Sequence, residues 1–263
     1  MSYKLIHGDC LEIIPTLESG SVDAIICDLP YGTTNCSWDS VIPFEPLWAQ
    51  YKRLIKPRGA IVLFGSQPFT SALIMSNIEW FKYCWVWSKT IATNFMIQNS
   101  QPAKKHEDIA VFYQKQPTYN PQMEIGKAYT DLRCKADKKV GFMSRNDSKR
   151  NPIFNTGERY PSSIQLFSNG NSNTLHPTQK PIDLLAYLIR TYTNEGETIL
   201  DNTMGSGSTI VAAIQEGRNA IGIERDADYF TIAQRRCLEA TYQPSLFTPQ
   251  PTQWGPVAMF GDD

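Results

Sequence analysis

The chain has 263 residues, 41 % of them hydrophobic, and its 25 basic and 26 acidic residues give a net charge of −1. That length suits one large α/β domain with an inserted segment, and the near-neutral balance excludes a uniformly basic nucleic-acid binder. Nothing resembling a signal peptide opens the sequence, no apolar run approaches a membrane span, and the six cysteines form no C-x-x-C pair, so a cytoplasmic location, reduced thiols and no metal are expected.

In chain order, residues 3–6 read as a strand. Gly8 and Asp9 follow, then a helix over 10–17, for which Asp9 is a suitable N-cap. Residues 22–28 form a short, mostly apolar run rich in β-branched side chains, as in a parallel strand covered on both faces. The run ends at Asp28, and Pro30 and Gly32 keep the strand from continuing. In open α/β sheets ligands lie outside the carboxyl ends of strands. Asp28 and Tyr31 are therefore expected at a crevice on a stiff turn. Taken alone, the same tetrapeptide is more often a strand-ending turn with a packed tyrosine. The loop 33–43 carries Trp38, which either closes over a substrate or anchors in the core. A helix over 44–55 tolerates Pro46 in its first turn. Residues 56–59, Lys-Pro-Arg-Gly, turn the chain. A strand at 60–65, a helix at 69–77 and strands at 80–88 and 108–114 follow, the aromatic run of 80–87 reading as sheet core.

Residues 115–173 change character, being rich in Asn, Ser, Lys, Gly and Pro. Within them, residues 127–150 hold eight basic side chains (Lys127, Arg133, Lys135, Lys138, Lys139, Arg145, Lys149 and Arg150) and three acids. That stretch is +5 and the remainder −6. Such segregation is either a phosphate-backbone footprint or a solvated loop. An amphipathic helix runs over 181–193. A strand over 198–201 then ends at Asp201, and Asn202 to Gly207 lead into a helix near Ser208 and Thr209. Gly205 and Gly207 let the backbone approach a ligand, and the helix start offers N–H groups to an anion. About twenty residues on, a strand over 219–224 ends at Glu224, an offset that suits hydrogen bonds to ribose hydroxyls. No Gly-Lys-Ser/Thr is present, which excludes a P-loop, and the third glycine of a dinucleotide fingerprint is missing. A helix over 226–240 precedes a Pro- and Gln-containing tail that reads as a linker. Seven strands alternating with helices give an α/β fold with a mainly parallel sheet covered on both faces.

Three stretches together carry a resemblance: Asp28-Leu29-Pro30-Tyr31, then His176-Pro177-Thr178-Gln179-Lys180-Pro181, then Asp201 to Gly207. In type and order they resemble the amino-group DNA methyltransferases that use S-adenosylmethionine, in the β subgroup, where the catalytic motif comes first. The resemblance covers residues 3–114 and 174–238. It implies a seven-stranded Rossmann-like methyltransferase fold with permuted motif order. It divides the chain into a catalytic half (1–114), a target-recognition insert (115–173), a cofactor half (174–240) and a flexible tail (241–263). It implies catalytic roles for Asp28, Leu29, Pro30 and Tyr31 on a flipped base. It assigns S-adenosylmethionine to Asp9, Cys10, Asp28, Thr178, Lys180, Asp201, Asn202, Met204, Gly205, Gly207, Ser208, Thr209 and Glu224. Among these, Asp9 lies near the adenine, Glu224 near the ribose, Gly205 and Gly207 near the methionine part, and Thr178 and Lys180 near its carboxylate.

The eight basic residues of 127–150 would contact double-stranded DNA, with Arg159 and Asn146, Asn151 and Asn155 as further candidates for reading bases. An acid rather than Ser at position 28 favours adenine N6; cytosine N4 is the alternative. A non-catalytic DNA-binding module, or a methyltransferase for protein or small-molecule amines, are the readings from other classes. Two departures from the family pattern stand out. Asn202-Thr203 stands where Pro-Phe is common, so the usual aromatic cover on the cofactor is missing, and Leu29 replaces a proline. Lys104-Lys105-His106-Glu107 resembles another subgroup feature, in which His106 either orients the catalytic loop or is structural. Gln243, Leu246 and Phe247 match the short peptide that docks on the bacterial sliding clamp; the other reading is an apolar anchor. Homodimers are common in the subgroup.

Overall fold

The computed structural model describes residues 2–33, 39–94, 98–131, 153–169 and 179–242. In chain order the elements are β1 (Tyr3–His7), α1 (Cys10–Ile13), β2 (Val22–Cys27), α2 (Phe44–Leu54), β3 (Ile55–Gly65), α3 (Phe69–Ser76), β4 (Phe81–Lys89), β5 (His106–Phe112), β6 (Glu124–Ile125), β7 (Tyr129–Asp131), β8 (Ile153–Asn155), β9 (Glu158–Arg159), β10 (Ile164–Phe167), α4 (Ile182–Tyr192), β11 (Thr198–Asp201), α5 (Ser208–Gln215), β12 (Asn219–Glu224) and α6 (Ala227–Tyr242). They form two compact units, one built from residues up to Asn120 and from Ser162 onward, the other from residues 121–161.

The larger unit holds an eight-stranded sheet in the order β1-β12-β11-β2-β3-β5-β4-β10. Pairing is parallel from β1 through β3, antiparallel on both sides of β5, and parallel again between β4 and β10. This is the mainly parallel α/β sheet that the alternation of strands and helices implies. Successive strand residues face opposite sides, and β2 shows the consequence. Ala24 and Ile26 pack in one core with Leu184 and Leu188 of α4 and Ile210 of α5. Ile25 and Cys27 pack in the other with Leu47 and Tyr51 of α2 and Leu73 of α3. Each fully buried Leu or Ile contributes roughly 1.5–3 kcal/mol relative to exposure, so covering both faces holds β2 rigidly in the middle of the sheet. Tyr192 ends α4, and its hydroxyl accepts a 2.6 Å bond from Trp85 Nε1 of β4.

Several boundaries differ from the sequence reading. The helix expected over 10–17 ends at Ile13 and tightens into a 3₁₀ turn over Ile14–Thr16, because Pro15 has no N–H to donate. Residues 56–59 do not separate two elements. They bulge out of β3, whose Ile55 pairs with Val22 and whose Ala60 pairs with Ala24. Gly59 is needed there, since a Cβ would lie 2.6 Å from the Asp23 carbonyl oxygen. An eighth strand, β10, comes from the stretch read as irregular. It is four residues long and alternates exposed with half-buried positions, so its period is weak. Phe167 fixes it: its carbonyl accepts from Trp87 Nε1 at 3.0 Å and its ring meets Tyr187 of α4 edge-on.

The smaller unit consists of two antiparallel ribbons, β6 with β9 and β7 with β8. Gly157 sits at φ 104°, and its carbonyl accepts from Gly126 N at 2.7 Å. Lys127 lies here, with its carbonyl bonded to Arg159. The connection from β7 to β8 is residues 132–152, which contains Arg133, Lys135, Lys138, Lys139, Arg145, Lys149 and Arg150 and lies outside the described residues. No described helix is long and apolar enough to cross a membrane, and the described residues contain no group of three or more His, Cys, Asp or Glu arranged to hold a metal.

Candidate active site

Four neighbouring parallel strands, β1, β12, β11 and β2, end at one edge of the sheet. Their following turns supply Gly8 and Asp9, then Glu224, then Asn202 to Gly205, then Asp28 to Tyr31. All of these line one cleft of about 640 Å³, within the range of roughly 300–1,000 Å³ usual for small-molecule sites. The cleft continues toward β4 and β5, where Trp87, Lys89, Lys104 and Glu107 line it.

The wall beyond β1, β11 and β12 is built on backbone contacts. Asp9 caps α1, accepting from Leu11 N at 2.8 Å. Glu224 accepts from Gly205 N and from Asp226 N, each at 2.8 Å, one on each oxygen. A carboxylate has about four acceptor sites, so both oxygens retain capacity for hydroxyl donors. Gly205 and Gly207 lie at φ 52° and 81°, in the left-handed region, and Gly207 starts α5, where a Cβ would meet that of Ala233 at 2.9 Å. Met204 packs so close to β12 that a Cβ on Gly222 would lie 2.3 Å from its sulfur. Ser208 and Thr209 open α5 and are buried. Arg236 of α6 braces the loop from behind, donating to the Ser206 carbonyl at 2.6 Å and to the hydroxyls of Ser206 and Ser208.

The loop's floor is polar and dry. Asn202 is buried, and its Oδ1 accepts from the Tyr51 hydroxyl at 2.5 Å and the Cys27 thiol at 3.0 Å. Cys10 lines the cleft, and burial pushes its thiol up, partly offset by the Asn202 side chain. Asp201 is 2 % exposed and accepts from Thr203 N at 3.1 Å. Burial raises its carboxyl to about 7, against the lowering effect of its bond with Thr209.

The opposite wall begins at Asp28. Its Oδ1 accepts from the Tyr31 hydroxyl at 2.7 Å and its Oδ2 from Lys180 Nζ at 2.5 Å. Its carbonyl accepts from the Thr203 hydroxyl at 3.0 Å, which joins the two walls. Tyr31 stacks on Phe69 with centroids 4.9 Å apart. The turn is held by Asp39, whose oxygens accept from Gly32 N at 2.8 Å and Thr33 N at 2.9 Å. Leu29 is buried, so its side chain is core. Lys180 is buried between two carboxylates, Asp28 and Glu107, with Glu107 Oε2 at 3.3 Å. Glu107 in turn pairs with Lys89 of β4 through its other oxygen. Burial, reinforced by the charge of Glu107, raises the Asp28 carboxyl above its ordinary range despite Lys180 and Tyr31. Burial works against the Lys180 ammonium, but Asp28 and Glu107 outweigh it and hold the ammonium up. Burial also disfavours the Glu107 carboxylate, but Lys180 and Lys89 together hold its carboxyl below the ordinary value.

Of the residues singled out in the sequence, Asp9, Cys10, Asp28 to Tyr31, Lys180, Asp201, Asn202, Met204, Gly205, Ser208, Thr209 and Glu224 come together on this cleft. Lys180, which the resemblance associates with a cofactor carboxylate, is engaged with Asp28 and Glu107. His106 is exposed at the start of β5, where it pairs with Ser88 of β4. Thr178, Trp38, Gln243, Leu246 and Phe247 lie outside the described residues. Glu107, Lys89, Asp39, Tyr51 and Arg236 were missed. For Lys89 the signal was present, a single charge beside an aromatic strand run, which a buried sheet tolerates only when it is paired; Glu107 is masked by the charged run 104–108 around it.

Asp201 gives a stability test. Its carboxyl ionises near 3.8 ordinarily and near 7 in the folded chain, so the unfolded chain releases the proton first. The contribution of Asp201 to stability is therefore greatest in acid and falls as pH rises through that window. Asp201→Asn removes this dependence. Relative to wild type, the variant should gain stability progressively between pH 4 and 7, by up to the order of 4 kcal/mol, with no further change above 7. Urea unfolding at a series of pH values measures it.

A family model for N6/N4 methyltransferases, described as a DNA methylase, matches residues 22–235. The Type II methyltransferase M.HpaI of Haemophilus parainfluenzae is 26 % identical over 256 residues, covering 90 % of this chain and 74 % of its own length. M.HinfI of Haemophilus influenzae, also a Type II methyltransferase, is 25 % identical over 273 residues, covering 92 % and 70 %. Among solved structures, the complex of M1.HpyAVI with SAM is 25 % identical, with a TM-score of 0.60 over 89 % of this chain and 99 % of that one. The cytosine-N4-specific PvuII DNA methyltransferase shares the fold, with a TM-score of 0.63 over 90 % of this chain and 86 % of that one, at 15 % identity. With the family match running from β2 into α6, across both walls of the cleft, the chain belongs to the N6/N4 DNA methylases and is a DNA methyltransferase.

Proposed function

We propose that this chain transfers the methyl group of S-adenosylmethionine to N6 of a flipped adenine within a short recognition sequence in duplex DNA. The observation that carries the reading is the Asp28 carboxylate. It stands at the end of a buried central strand, held by Tyr31 and Lys180, at the rim of a cleft whose other wall is a glycine loop. The methyl donor fits that other wall. Glu224 retains acceptor capacity for ribose hydroxyls, Asp9 and Cys10 border the same end, and Gly205 carries no side chain to obstruct it, while Gly207 lets the loop close against Ala233 of α6. Asn202, Met204, Ser208 and Thr209 shape the loop, with Asp201 beneath it. The bound donor supplies an electrophilic methyl group on a sulfonium sulfur.

The chain's residues then do the rest. An exocyclic amine is a weak nucleophile because its lone pair is delocalised into the ring. Asp28 and the Leu29 carbonyl accept the two amine hydrogens, which favours a pyramidal nitrogen and stabilises the positive charge that grows on it. Pro30 stiffens the turn. Tyr31, backed by Phe69, stacks on the flipped base, a contact worth roughly 1–3 kcal/mol in other base–aromatic pairs. As the new N–C bond forms, Asp28 takes the displaced amine proton. An acid at position 28 supports adenine over cytosine. In this reading residues 1–114 and 174–240 form the two halves of the catalytic domain. Residues 115–173 recognise the target, with Lys127 and the seven basic residues from Arg133 to Arg150 on phosphates. Type II relatives support a role in restriction–modification. Thr178 belongs to the cofactor half on resemblance alone. Dimerisation likewise rests on resemblance alone, and sedimentation of the intact chain measures it.

Asp28→Ala should abolish tritiated methyl transfer to DNA while leaving S-adenosylmethionine affinity within about threefold; retained turnover would remove Asp28 from this role. Modified-base sequencing of DNA from expressing cells should show N6-methyladenine in one motif, and N4-methylcytosine there would reassign the base. Neutralising Lys138, Lys139, Lys149 and Arg150 should weaken binding at all sequences and flatten the salt dependence by about one unit of slope per lost phosphate contact. An unchanged slope would make the segment plain surface. Deleting residues 243–263 should spare methylation of short duplexes and abolish binding to a bacterial sliding clamp. Clamp binding that survives would end that assignment.

A further inference from the structure

Both oxygens of Asp28 are already engaged, Oδ1 by the Tyr31 hydroxyl and Oδ2 by Lys180 Nζ. A target amine that is to donate to this carboxylate has to displace one of them. Tyr31 is wedged on Phe69 at the turn. Lys180 has somewhere to go. Glu107 Oε2 is buried and lies 3.3 Å from the same ammonium, a longer ion pair than the one to Asp28, while the other oxygen of Glu107 is fixed by Lys89. Lys89 is itself held over the Trp87 ring, 4.7 Å from its centroid. The four side chains therefore form a line of alternating charge, Asp28, Lys180, Glu107, Lys89, in which Lys180 lies closer to Asp28 than to its second partner.

The chemistry makes that second partner useful. Positive charge develops on the amine beside Asp28, and an ammonium still seated on the same carboxylate would oppose it. Resting on the reading of Asp28 given above, we propose that Glu107 is a positioning residue: it is the second seat for Lys180, which moves from Asp28 onto Glu107 Oε2 when the target amine arrives. The carboxylate is thereby kept ionised and covered in the empty cleft, then released to the amine. When Asp28 takes the amine proton and becomes neutral, Lys180 remains on Glu107.

The groups that act on Asp28 are Lys180 ahead of α4, Glu107 on β5 and Tyr31 on its own turn, with Asp201 on β11 repelled by it; Lys89 on β4 acts through Glu107, and Lys104 ahead of β5 faces Glu107, Lys89 and Lys180. Removing only the Glu107 charge leaves Lys180 on Asp28. Glu107→Gln should lower kcat by about tenfold or more, with S-adenosylmethionine affinity within about threefold. The acidic limb of its pH–rate profile should move to lower pH, because Asp28 has lost a repelling neighbour and kept its cation. Glu107→Asp should keep the limb in place and recover part of kcat. Lys89→Gln, which leaves Glu107 to draw on Lys180 alone, should shift Asp28 the opposite way. The ¹³C-carboxyl titration of Asp28 reads these shifts without turnover. Wild-type chain inactive on every DNA would sink the methyltransfer role of the site and leave that titration to judge Glu107. A Glu107→Gln variant with unchanged kcat, or with reduced kcat but unmoved limb and unmoved Asp28 titration, would overturn the proposal. So would shifts of Asp28 in the same direction in Glu107→Gln and Lys89→Gln.

Discussion

The parallel adjacency of β1, β12, β11 and β2 is the constraint on which the site depends. Parallel neighbours point their carboxyl ends the same way, so residues separated by nearly the whole sequence come out at one edge. Asp9 follows the first strand of the chain and Glu224 ends the last, yet both border one cleft because β1 pairs with β12 from Tyr3–Ala220 to His7–Glu224. The chain order of the motifs is then of little mechanical consequence. What matters is which strands lie side by side, and burial on both faces fixes that by leaving no alternative register for β2 or β11.

The joint between the two walls is small and specific. Cys27, the last residue of β2, and Asn202, the first after β11, share a thiol–amide contact that Tyr51 completes from α2. One step outward, the Thr203 hydroxyl reaches the Asp28 carbonyl. These bonds occupy the two positions where the sequence departs from the Pro-Phe common in the family. A polar joint fixes the spacing between the Asp28 turn and the glycine loop, where Pro-Phe would bring rigidity and an aromatic cover. Alignment of nucleophile and methyl group to a fraction of an ångström is where much of a transfer enzyme's rate enhancement arises, so a hydrogen-bonded spacer at this point serves the chemistry directly.

This division also accounts for what the sequence makes legible. Strand-ending acids and glycine loops are local signals: Asp28, Asp201 and Glu224 each close an apolar run, and each sits where such a run predicts. The edge strand β10 is not local, since its four residues have little period and only Trp87 and Tyr187 give it a place. Asp39 braces the Asp28 turn from seven residues away from Gly32, and Arg236 reaches back 30 residues to Ser206. Neither contact has a sequence signature, because nothing in a loop aspartate or a helical arginine tells which backbone it will meet. Lys180 shows the opposite failure. Its motif marks it as important, but the carboxylate it serves is chosen by the fold.

That choice bears on why the sheet tolerates such a line of charges. Burying a carboxylate or an ammonium costs several kcal/mol each, and apolar residues of similar volume often serve stability as well or better. Lys89 and Lys180 are 6 % and 7 % exposed, and Glu107 is 12 % exposed in its side chain. A core selected for stability alone would be expected to hold Leu or Met at these positions. The charges make sense if the group at the end of the line has to be both desolvated and ionised. A lone Asp28 in that setting would take up a proton, since burial already raises its carboxyl. One lysine would hold it ionised but would also occupy it. Two lysines and a second carboxylate balance the charge and place a second acidic partner 3.3 Å from the first lysine.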